Sequence, residues 1–190
     1  MIEAKKVISN NLLDVDSNLS AIYQLLDEYR QMQTLILTAS DYNTGQVVGI
    51  DPAYSPITFS GTRTSNFASD YFKLGTDGTI ILDQTIVPHL FLTVSLQLNS
   101  PAAAIGKTFY MQLGFAYGEE ETFYQQSAYR MITPFTANSN ELRETVNYNV
   151  YVDIPSGVTR VKVYCATNAS ESPTISRAFL KAVRVPSYAQ

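Results

Sequence analysis

Seven apolar residues near the start of the chain recur at alternating spacings of four and three: Ile8, Leu12, Val15, Leu19, Ile22, Leu26 and Tyr29. With Leu12, Leu19 and Leu26 at position a, residues Ile8, Val15, Ile22 and Tyr29 fall at position d. A seam of this period cannot be buried by one helix alone and asks for partner helices. Leucine at a with mostly β-branched residues at d disfavours two strands and shifts the preference to three or four. Leu13, Leu25 and Met32 widen the stripe. Asn10, Asn11, Asp14, Asp16, Ser17 and Asn18 are mediocre helix formers, so packing and not propensity must order the segment. The alternative is an amphipathic helix that folds back on its own chain. The spacing favours contact between chains.

After this arm the hydrophobic period changes from 3.5 to 2. Leu35–Thr38 reads as a first strand, and 41–56, with two glycines and two prolines, reads as an irregular connection. Ile57–Ser60 and Thr79–Leu82 read as short strands, the latter entered through an Asp77-Gly78 turn. Leu90, Leu92, Val94, Leu96 and Leu98 alternate with Phe91, Thr93, Ser95 and Gln97, as in a half-buried strand. Phe109–Tyr117, Thr122–Ile132, Val146–Ile154, Val161–Cys165 and Thr174–Val185 complete the set. Val94, Leu96, Leu113, Phe115, Val150, Val152 and Val163 are expected in the core. Strands at this spacing, with no helical pattern between them, predict an antiparallel β-sandwich or jelly roll. The expected domains are a helical arm at 1–36 and a sandwich at 37–190.

Composition narrows the function. Charged residues make up only 16% of the 190 residues and the formal net charge is −4. A nucleic-acid binder needs a basic footprint. Here the basic residues form only small groups: Lys5 with Lys6, and Lys181 with Arg184. A single cysteine, Cys165, allows no intrachain disulfide. The first twenty residues carry charges at Glu3, Lys5, Lys6, Asp14 and Asp16, so neither a secretory signal nor a membrane-inserting helix is expected.

Catalytic constellations are not expected either. The only histidine, His89, has no nucleophile motif to serve, and Cys165 alternates inward with Val161 and Val163, as a core thiol does. Zinc-type ligands are missing. The carboxylates at Asp14 and Asp16, or at Glu119–Glu121, could attract a calcium ion but read more simply as solvated charge. No metal or cofactor is expected, and Asn168-Ala-Ser170 is read as an accidental acceptor pattern.

The order of a short helix, the segment Phe72-Lys-Leu-Gly-Thr-Asp-Gly-Thr-Ile-Ile-Leu, a long alternating strand, and Val152-Asp-Ile-Pro-Ser-Gly-Val-Thr-Arg-Val-Lys-Val-Tyr-Cys resembles bacteriophage virion proteins with jelly-roll domains. It is similar in layout to head-decoration (cement) proteins, to trimeric head or tail fibre tips, and to the C1q/tumour-necrosis-factor-like jelly roll. The resemblance spans about residues 57–185 and rests on layout and turn chemistry. It implies a homotrimer, attachment to a virion through partners such as the major capsid protein, synthesis in a host cytoplasm, and no catalysis. The alternatives are a receptor-binding tail-fibre tip, with Tyr117, Phe123 and Tyr124 as the contact aromatics, and a carbohydrate-binding, lectin-like module. In both, a host-surface glycan is the candidate partner.

Overall fold

A computed structural model of the chain describes residues 15–23, 36–59, 61–65, 72–136 and 143–185. These fall in two compact units, with helix α1 (15–23) in one and every strand in the other, Thr34–Ser187. Val15, Leu19 and Ile22 sit on α1 at spacings of four and three, and all three are exposed. The other seam positions, Ile8, Leu12, Leu26 and Tyr29, and the flanking Leu13, Leu25 and Met32, lie outside the described residues. The described helix is therefore short, and a coiled coil along the whole seam is not shown.

Twelve strands are described: β1 (Ile36–Val47), β2 (Gly49–Ile50), β3 (Ser55–Pro56), β4 (Thr62–Ser65), β5 (Phe72–Leu74), β6 (Ile80–Leu82), β7 (His89–Asn99), β8 (Thr108–Tyr117), β9 (Tyr124–Pro134), β10 (Arg143–Asp153), β11 (Val158–Thr167) and β12 (Thr174–Val185). They form two sheets. Sheet A has the order β10-β7-β12-β1-β4. Sheet B has the order β5-β6-β11-β8-β9, with β2 and β3 also bonded to β11. All pairings are antiparallel except the two-residue contact of β2 with β11.

Alternation places one face of each sheet inward. Leu90, Leu92, Val94, Leu96 and Leu98 from sheet A meet Phe109, Met111, Leu113 and Phe115 from sheet B, all fully buried. Six of the seven expected core residues are buried. Val150 is only partly so, because β10 is an edge strand and leaves that side chain uncovered on one side. Cys165 is buried, and burial pushes its thiol up to about 12, so it stays a protonated, apolar group.

Two expectations need correction, and one strand was not anticipated. β1 does not stop near Thr38. It follows β12 as far as Val47, and the register shift between Tyr42 and Gln46 absorbs Gly45 at φ +62°. Pairing with a long neighbour overrides the turn-forming composition. Residues 57–59 are not a strand, yet Ile57 and Phe59 are fully buried. They cross beneath Gly78, where a side-chain carbon would lie 2.4 Å from the Ile57 carbonyl oxygen. Finally, β4 forms within a Thr/Ser-rich stretch that has no apolar alternation.

The edge shared by β9 and β10 is closed by side chains. Four residues of β9, 127–130, bulge out between the pairs Leu113–Gln126 and Met111–Met131. From β10, the Tyr148 hydroxyl donates to the Tyr129 carbonyl of that bulge, and the Tyr129 hydroxyl donates to the Asp153 carbonyl at 3.4 Å.

Candidate functional site

The outward face of sheet A can be laid out from its register. Residues paired across strands share a transverse row and a face. Tyr151, Phe91, Val183 and Ile36 form one such row across four strands. Tyr151 is 48% exposed and Phe91 40% exposed, while Val183 and Ile36 are half-buried. The next outward row is polar: Asn149, Thr93, Lys181 and Thr38. Beyond it, Ser40, Ser95, Gln97, Thr145 and Arg177 line a shallow cleft of about 300 Å³ beside Phe179. An apolar row therefore crosses this face at the end of the sheet where the chain comes into β1, and Phe179, 40% exposed, stands apart from it among polar neighbours.

His89 borders this row. Its Nδ1 lies 2.8 Å from an Asp153 carboxylate oxygen, and its ring stacks on Tyr151 with centroids 5.7 Å apart. Those are its side-chain partners among the described residues, and neither is a serine or cysteine. The pairing of Lys181 with Arg184 suggested by the sequence is split by the strand. Three residues apart on β12, they point to opposite faces, Lys181 outward and Arg184 inward and buried.

The three aromatic residues expected to contact a receptor sit around the β8–β9 connection. Tyr117 and Tyr124 pack together at 6.1 Å. Phe123 instead folds over the outer face of sheet B and packs on Tyr164 at 6.3 Å. It can do so because β8 carries Gly114 beneath it; a side-chain carbon there would come within 2.7 Å of the Tyr164 ring. Lys162 Nζ lies 4.9 Å from the centre of the Phe123 ring and 2.7 Å from an Asp77 carboxylate oxygen. Tyr117 pairs with Val158, just past the turn that follows Asp153, so this trio is at the same end of the sandwich as Ile36. Nothing in the sequence around these aromatic residues distinguishes one end of the sandwich from the other.

Burial acts to raise the Asp77 pKa, but hydrogen bonds from Lys162 and Thr79, with the Lys162 charge, outweigh it and hold the carboxyl at about 2. The folded-state value is depressed, so the stabilisation is complete above the unfolded value near 4 and is lost as pH falls toward 2. Asp77→Ala is expected to cost about 1–3 kcal/mol at neutral pH, since it strands the nearly buried Lys162 ammonium. The variant should also lose less further stability between pH 4 and pH 2 than the parent. Urea titrations at the two pH values check both.

Among the described residues, no group of three or more His, Cys, Asp or Glu side chains could hold a metal ion, and no helix is long and apolar enough to cross a membrane. No protein-family model matches the chain, and no curated protein matches it. Solved structures do. The chain is similar to Eiger TNF from S. frugiperda, with a TM-score of 0.52 at 12% identity over 83% of this chain and 97% of that one. It is more loosely similar to PRD1 vertex protein P5 (TM-score 0.45, 13% identity, 80% of this chain and 96% of that one). A chain of infectious bursal disease virus, Gt strain, gives a TM-score of 0.47 at 13% identity over 82% of this chain and 33% of that one. The first of these likenesses is one of fold, an antiparallel β-sandwich consistent with a jelly roll.

Proposed function

We propose that this chain is a non-enzymatic structural protein of a virion, a homotrimer that decorates a capsid and is attached through its helical arm. The observation that carries the assembly is the apolar row Tyr151–Phe91–Val183–Ile36. A row that runs across the strands lies at one height along them. Rotation about an axis parallel to the strands keeps every residue at its own height, so each copy presents the same row to the next and closes it into one layer. The heptad seam asks for the same cyclic symmetry, since its preference is for three or four helices. The polar rows beside the apolar one suit the rim of such a contact. Placement on a particle is supported by the sequence layout, an arm that needs an external surface or sister helices to order it, followed by a self-contained sandwich.

Removing residues 1–34 is expected to abolish attachment and leave the sandwich folded. Immunogold electron microscopy of particles released from cells that make the full or shortened chain tests this. Label on particles carrying only the shortened chain, at full occupancy, would move the attachment surface to the sandwich. No label with the full chain would end the virion reading.

A further inference from the structure

A second cluster lies on the outer face of sheet B, at the opposite end of the sandwich from Ile36. Tyr110 is seven residues before Tyr117 on β8, roughly 23 Å along the strand. It pairs with Ile132 on one side and Ala166 on the other. Ala166 presents only a methyl, and Tyr54, from the connection between β2 and β3, reaches toward Tyr110 with ring centroids 6.5 Å apart. Arg130, from the bulge in β9, lays its guanidinium carbon 4.2 Å from the centre of the Tyr110 ring and 5.8 Å from that of Tyr54.

The state of that guanidinium is informative. A cation–π contact with these rings uses none of its five N–H donors. The nearest carboxylate, Asp51, is 4.0 Å away, which is beyond hydrogen-bonding distance. Among the described residues no hydrogen bond reaches Arg130, and its side chain is 32% exposed. The Tyr54 hydroxyl is buried with no partner, and burial raises its pKa while the Arg130 charge opposes the rise, so the phenol remains a donor. Ile132, beside Tyr110, is 63% exposed. A planar fork of donors lying against aromatic rings, with an apolar rim beside it, thus has no hydrogen-bonded partner among the described residues.

We infer that Tyr54, Tyr110, Arg130 and Ile132 form a binding site for a carboxylate-bearing sugar. The guanidinium edge turned away from Asp51 takes the carboxylate in the bidentate geometry that arginine favours. The rings and Ile132 take an apolar face of the sugar. Asp51 flanks the site as a like charge and weakens the binding of an anion. A neutral sugar would use Asp51 differently, as an acceptor for its hydroxyls. The site is complete within one chain and does not depend on the trimer.

Isothermal titration of the full chain with 3′-sialyllactose, a glucuronate disaccharide and lactose tests the assignment. At least one acidic sugar should bind and lactose should not. Arg130→Lys keeps the charge but loses the planar fork, and should weaken binding by ~10-fold or more. Asp51→Asn should tighten binding of the acidic sugar by about 2- to 5-fold. Unchanged circular dichroism shows that each variant is folded. Equal binding of lactose, weaker binding by Asp51→Asn, or binding of no sugar by the parent chain would each overturn the proposal. Free glutamate competing as well as the acidic sugar would assign the fork to a protein carboxylate and overturn the sugar assignment.

Discussion

Phe91→Glu is expected to leave the sandwich folded and to dissociate the proposed trimer. In the single chain Phe91 stands on the outward face of sheet A, 40% exposed, so a carboxylate there costs the isolated fold little. In the proposed trimer it would sit inside the apolar layer made by Tyr151, Phe91, Val183 and Ile36. An unpaired charge buried at a contact costs on the order of 3–5 kcal/mol, which lowers an association constant by ~10³-fold. Sedimentation velocity from nanomolar to micromolar concentration reads the effect, with the far-ultraviolet circular dichroism unchanged. A sedimentation coefficient equal to that of the parent over the whole range would remove this face from the interface.

The opposite behaviour is expected of Phe115→Ala. Phe115 is fully buried between the sheets, and its ring meets Tyr129 at 5.7 Å. Truncation removes that contact and opens a cavity under the bulge of β9, for a loss of about 3–5 kcal/mol. For a domain of this size the melting temperature should fall by roughly 6–20 °C. Calorimetry checks it, and a change near zero would show that the ring is not in the core.

What was legible in the sequence follows from period. β7, β8 and β12 were readable because each has one face against the core and one against water, which imposes strict alternation. Leu90 to Leu98 is the clearest case. β4 was not readable, because an edge strand of Thr, Arg and Ser needs only backbone pairing with β1. The far half of β1 was hidden for the same reason. The outward apolar row was present in the letters but invisible as a row: Ile36, Phe91, Tyr151 and Val183 are brought side by side only by the register of four strands. The Tyr54–Tyr110–Arg130 cluster lacks any local signal, since its members come from a loop, a strand and a bulge.

The heptad seam shows the converse. It was the strongest pattern in the sequence, and the described helix contains only Val15, Leu19 and Ile22 of it, all exposed. A sequence period states which residues share a side; it does not state what lies against that side.

The tyrosine stitch between β9 and β10 has a consequence for life at high density. Proteins that coat a shell stand shoulder to shoulder, at local concentrations where any open strand edge would template the next molecule and run on into fibrils or gels. The bulge at 127–130 bends β9 out of line, and the Tyr148 hydroxyl occupies a carbonyl that a foreign strand would need. Neighbours that meet along this flank can then crowd together without zipping. In the proposed trimer the face of sheet A would then set how many copies join.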